Sequence, residues 1–344
     1  MPLSIGRALL SLVAASVTAG VPFAARAQPA QQQGNPKRVI ARGTWQIIRE
    51  IGRDNDLIED PGMVSMGANR IVIYDYGTNS VKSIRLDGTL EWNVGRAGRG
   101  PGEYASPTSL VVDSAGRALV YDPDNGRLTI LDRTGRLARA IPLRQRVDIA
   151  LPGRSMDRYL LLSPGSDTLA AIIDSAGNLR RQLALPVNLR NIAPIAREII
   201  AVAPTGAGYL LAFRWSSRML LMDAGGSIIR DCTAIDSLSF PARRQSRLTV
   251  QGIKVRVDRV DPAATEAVLS VARLDSSVAV LRESTSRRGA RQVDIYASAC
   301  GRYVETRPFP FVAGRIVGTG NIVVAVVLEP SPHLAVLRWV PSGR

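Results

Sequence analysis

The sequence has one histidine, three lysines and two cysteines among its 344 residues, and aromatic residues make up only 5% of it. Each shortage removes a class of function. A lone histidine cannot build a histidine-rich zinc centre. So few aromatic rings leave little for a platform on which single-stranded nucleic acid would stack, so nucleic acid is not an expected partner. Neither a GxSxG nucleophile elbow nor a GxxxxGK[ST] phosphate loop occurs. Beyond residue 27 no apolar run approaches the ~20 residues of a membrane-spanning helix.

Arginine takes the place of lysine and carries most of a formal net charge of +15. Scattered along the chain, the arginines fit a codon bias, and they also fit an acidic partner. Arg7, the apolar run ALLSLVAASV and the small residues around Arg26 match an export signal over 1–27, cut before Gln28. Cleavage leaves 317 residues at net charge +13, because Arg7 and Arg26 are lost, and sends the chain to the periplasm or outside the cell. Residues 28–43 read as a disordered leader. In an exported chain, Cys232 and Cys300 suggest a disulfide.

The glycine-richest stretch, GRAGRGPGEYASP (95–107), raises the question of a phosphate loop. Such a loop works between a strand and a helix, whose N-terminus supplies the complementary charge. Here EWNV ends one strand and SLVVDSAG is another, so the stretch reads as a connector. It belongs to a repeat. NRIVIYDYGTNSVKSIRLDGTL (69–90) aligns with GRALVYDPDNGRLTILDRTGRL (116–137), and fainter copies occupy 158–179, 208–228, 276–303 and 320–343. Equivalent positions Asp87, Asp132, Asp174, Asp223, Ser298 and Val340 lie 45, 42, 49, 75 and 42 residues apart, so the long step holds an insertion at about 236–268.

A repeat of ~40–50 residues with short alternating apolar strands is one propeller blade. Six copies predict an all-β, six-bladed β-propeller over 44–344, with four antiparallel strands per blade. TWQIIREIG (44–52) fits no blade of its own and matches LEWNVG (90–95). It is therefore predicted to be the N-terminal strand that closes the last blade.

The GRGPGEY connector, the apolar strand ending in Asp and the DPDNGR turn resemble propellers of the NHL-repeat kind, exported bacterial ones especially. The resemblance is clearest over 91–137, extends over 44–90 and fades from 138 onward. It implies a ligand site around the channel mouth on the face that carries the connectors, called the top. Candidate ligand contacts there are Arg214, Arg282, Arg287, Arg288, Asp75, Asp122, Glu329 and His333, the last read as an exposed turn residue. Arginine suits a carboxylate or sulfate because its planar fork makes two parallel hydrogen bonds. The aspartates have an alternative role in capping their own turns. Asp54, Asp56, Glu59 and Asp60 are expected to pair with Arg96 and Arg99.

The function expected is that of a monomeric exported module, without a cofactor, binding a protein, a peptide or an anionic glycan through the top face. The competing reading is a calcium-dependent lactonase-like hydrolase, by resemblance to propeller lactonases, with Asp75, Asp122 and Glu329 offering oxygen to the cation.

Overall fold

The computed structural model describes residues 37–143, 147–155, 157–163, 167–192, 194–236, 238, 241, 243–250, 253–260, 266–282 and 290–342. The signal segment 1–27, most of the leader, and Arg287 and Arg288 lie outside the described residues.

After β1 (Gly43–Ile51) come four antiparallel sheets of four strands each. Sheet I holds β2 (Pro61–Gly67), β3 (Arg70–Asp75), β4 (Ser80–Arg85) and β5 (Leu90–Val94). Sheet II holds β6 (Ser109–Val112), β7 (Ala118–Asp122), β8 (Arg127–Leu131) and β9 (Leu137–Pro142). Sheet III holds β10 (Ile149–Pro152), β11 (Arg158–Leu162), β12 (Thr168–Asp174) and β13 (Leu179–Ala184). Sheet IV holds β14 (Ile199–Thr205), β15 (Gly208–Phe213), β16 (Arg218–Met222) and β17 (Ile228–Thr233). Within the predicted insertion, β18 (Arg243–Val250) and β19 (Ile253–Val260) form a separate hairpin. Sheet V contains β20 (Ser270–Leu274), β21 (Ser277–Arg282), β22 (Ala290–Tyr296), β23 (Tyr303–Thr319), β24 (Ile322–Val327) and β25 (His333–Pro341), with β1 at its outer edge.

The sequence predicts six separate four-stranded sheets, and the described residues form four. The last two copies are fused, because β23 runs 17 residues without a connector. Its residues 303–308 pair with β22 and its residues 313–319 pair with β24. Strand β1 pairs antiparallel with β25, from Gly43 opposite Pro341 to Ile51 opposite Leu334.

Second and third strands are buried on both faces, as in Ile71, Val72, Ile73 and Tyr74, because each sheet is packed between neighbours. Fourth strands such as LARAIP (137–142) bury little, because they form the rim. Separate apolar cores join sheet I to II, II to III, III to IV and IV to V. Another lies within sheet V, and one joins its β24 and β25 to β3 and β4 of sheet I. The first strands of the sheets surround a shaft.

The leader is tied down where it is described, contrary to the predicted disorder. Thr306 N donates to Val39 O at 2.7 Å, Ala41 N donates to Thr306 O at 2.8 Å, and Arg38 forms an ion pair with Asp294. Backbone pairing and a buried counterion outweigh the polar composition of this stretch. Cys232 and Cys300 are joined as a disulfide, with Cα atoms 5.5 Å apart, linking β17 to the turn after β22.

Candidate functional site

The aspartates that end the second strands serve the connectors. Asp122 accepts hydrogen bonds from the backbone N–H groups of Ala105 (2.7 Å), Ser106, Asp124 and Asn125 (3.2 Å each). Asn125 and Arg127 then donate to connector carbonyls, at Gly98 (3.0 Å) and Gly100 (2.6 Å). Asp75 repeats this arrangement with the N–H groups of Glu59 (3.1 Å) and Asp60 (2.8 Å), and Lys82 Nζ bridges Asp75 (2.6 Å) and Leu57 O (2.8 Å). Burial works against the Asp75 carboxylate, but Lys82 and the backbone donors prevail and hold it below the usual range. Both aspartates are fully buried. Their lone pairs are spent inside the fold, which removes them from any ligand set.

The other sequence candidates scatter. His333 begins β25 instead of sitting in the turn and is 2% exposed. Its Nδ1 lies 2.7 Å from Ser331 O and its Nε2 lies 3.4 Å from Glu50 Oε1. Arg282 is sealed against Asp236 and Asp294, with Arg38 on the same two carboxylates. It does not line the shaft. Glu329 is exposed. Arg96 pairs with Glu103 at 2.7 Å, within its own connector, and not with the acidic run at 54–60. Among the described candidates, only Arg214 reaches the shaft.

The shaft is a cavity of about 950 Å³ lined by β2, β6, β10, β14, β20 and the second half of β23. Its half-buried wall is largely aliphatic, including Val64, Val111, Ile149, Val202 and Val317. Charged side chains line both ends: Asp113, Arg117, Arg154, Asp223 and Arg273 near the bottom turns, and Asp148, Glu198, Arg214 and Arg315 toward the top. Arg214 sits between Glu198 (3.0 Å) and Glu266 (3.4 Å). Tyr76 donates to Pro107 O at 2.9 Å, and its ring occupies the space beside Gly62, where a Cβ would fall 1.7 Å from Tyr76 Cε2. Glycine is required there. Asp148, just before β10, accepts from Ile199 N at 3.2 Å. Burial pushes the Asp148 carboxyl up to about 6, with Glu198 adding to the rise.

Arg315 enters the wall two residues into the second half of β23, opposite Val326. It has no hydrogen bond or ion pair with any described residue. Burial lowers its pKa, and Tyr76, Arg214, Glu198 and Glu266 act on its charge. Arg315 and Asp148 were missed in the sequence, although a signal existed. Aligning first strands by their pairing partners puts Arg315 level with Met63, Ser109, Ala150, Ala201 and Ser270, so it is the one charged residue at that level among the described strands. Among the described residues, no three of His, Cys, Asp or Glu gather where they could hold a metal ion.

No protein-family model matches the chain, and no curated protein is similar to it in sequence. Solved structures are similar in fold. A Bacteroides fragilis protein provisionally described as exported has a TM-score of 0.57 at 12% identity, over 87% of this chain and 96% of its own. The β-propeller domain of Cps50 (Swd1) from Myceliophthora thermophila has a TM-score of 0.52 at 14% identity, over 86% and 99%. Virginiamycin B lyase from Staphylococcus aureus has a TM-score of 0.51 at 12% identity, over 86% and 99%. At such identities the likeness is one of fold alone: the chain is a β-propeller.

Proposed function

We propose that this protein is an exported six-bladed propeller that works as a binding module and takes a small ligand into its shaft from the top. In this reading sheet V counts as two blades that share β23, and β1 closes the ring as the outer strand of the last. The six apolar cores, one between each pair of neighbouring blades, support that count. The NHL-like connector, anchored by Asp122, Asn125 and Arg127, supports the kinship with exported propellers of that kind.

One observation carries the binding reading. The shaft is a cavity of about 950 Å³ with a band of aliphatic side chains across its middle and charged groups at both ends, a build that suits a small molecule. The lactonase-like reading has less support, because Asp75 and Asp122 spend their oxygens on backbone donors and Glu329 stands apart in solvent. The test is a ligand-observed NMR screen of small carboxylates, peptides and anionic oligosaccharides against the mature protein and against Val202→Trp with Val111→Trp, which together obstruct the aliphatic middle of the shaft. Binders that the plug excludes support the reading. Binders indifferent to the plug overturn it.

A further inference from the structure

An arginine without a counterion in a protein wall is costly, because the charge gives up water and gains nothing in exchange. Glu198, Glu266 and Tyr76 offset the burial of Arg315 only in part, and none of them bonds to it. Glu198 and Glu266 are already bonded to Arg214, and the Tyr76 hydroxyl is committed to Pro107 O. Arg197 also leaves two nitrogens without partners, but it is 1% exposed and does not line the shaft, so no ligand reaches it. Arg315 differs in facing an open cavity. Its five donors are free to meet an incoming acceptor.

The rest of the site narrows the ligand. Arg214 holds Glu198 and Glu266 beside Arg315. A second anionic group on a ligand would meet Glu198, Glu266 and Asp148, which disfavours phosphate dianions and sulfated sugars. A cationic ligand would meet Arg315 itself. Between the two charged ends, the half-buried wall presents aliphatic side chains, which pack an apolar body better than they bond a sugar hydroxyl.

We propose that the shaft binds a monocarboxylate with an apolar body, its carboxylate held by Arg315 and its body packed among Val64, Val111, Ile149, Val202 and Val317. The proposal rests on the shaft being the binding site and adds the class of ligand. Arginine is the side chain for this task because its fork grips a carboxylate through two parallel bonds, and the match strengthens away from water.

The experiment is calorimetric titration of the mature protein with octanoate, octanol and a sulfated tetrasaccharide. Octanoate binds, octanol binds at least ~10-fold more weakly, and the tetrasaccharide does not displace octanoate. Arg315→Gln weakens octanoate ~10-fold or more, while Arg136→Gln, at an exposed arginine outside the shaft lining, changes nothing. The octanoate–octanol pair needs no variant, so the test survives a folding defect in Arg315→Gln. Failure of octanoate to bind, equal affinity for the alcohol, or displacement by the tetrasaccharide overturns the proposal. A ligand that Val202→Trp with Val111→Trp excludes but Arg315→Gln does not affect leaves the shaft reading intact and sinks this one.

Discussion

Two groups of arginine and acid in this molecule have nearly the same composition and opposite states. In the first, beside β21, Arg38 and Arg282 face Asp236 and Asp294, and Thr306 Oγ1 also donates to Asp294 at 2.6 Å. Asp294 is fully buried, and every charge of the group has an opposite within reach. In the second, at the top of the shaft, Arg214 is paired, Arg315 is not, and Asp148 resists ionisation. A charge compensated inside the protein holds the fold. A charge left facing a cavity costs stability and stays open to an acceptor from outside.

Removing one member of the sealed group is expected to have the largest effect. Asp294→Ala leaves two arginines competing for Asp236 and should cost ~3–5 kcal/mol of unfolding free energy, measured by urea denaturation. A cost below ~1 kcal/mol would erase the contrast between the two groups. Next comes the disulfide. It ties the end of β17, four residues before Asp236, to the turn after β22, across 68 residues. Replacing both cysteines with serine should cost ~2–4 kcal/mol. Titration of the unfolded, unreduced protein should find no free thiol.

The smallest expected effect has the opposite sign. Asp148 has a folded value of about 6 against an ordinary 3.8, so the native state favours its neutral form. Its contribution is fully present below pH ~4, is lost as the pH climbs from ~4 to ~6, and stays lost above that. Two units correspond to ~3 kcal/mol, reduced to ~1–2 because part of the side chain faces the shaft. Asp148→Asn should therefore stabilise the protein by ~1–2 kcal/mol at pH 7.5, and the gain should vanish by pH ~4. A gain independent of pH would mean that Asp148 is not the group that titrates.

Much of the β architecture was legible in the sequence, because each repeat copy writes its strands and turns with the same residues. Tyr-Asp at 74–75 and 121–122 marks the second strand, and Gly88, Gly116 and Gly135 take the positive φ their turns require. The fusion of the last two copies was not legible, because an extended run such as YVETRPFPFVAGRIVGT carries no sign of where one pairing partner gives way to another. The site was read less well, for a reason of direction. Ends of second strands were searched for ligand contacts, yet they point at the connectors, where unpaired N–H groups consume their carboxylates. Residues that face the axis come from first strands. His333 shows the same difficulty. Its position after Pro330 and Ser331 suggests a turn, while its ladder partner Val327 draws it into the sheet.

The contrast between compensated and uncompensated charge is tested most directly by measuring Arg282→Gln and Arg315→Gln side by side, for unfolding free energy and for octanoate affinity. The account predicts that Arg282→Gln loses ~3–5 kcal/mol of stability, and that the protein still folded binds octanoate as the wild type does. Arg315→Gln should keep or gain stability and lose ~10-fold or more in affinity. Equal losses of stability with unchanged binding in both variants would contradict it.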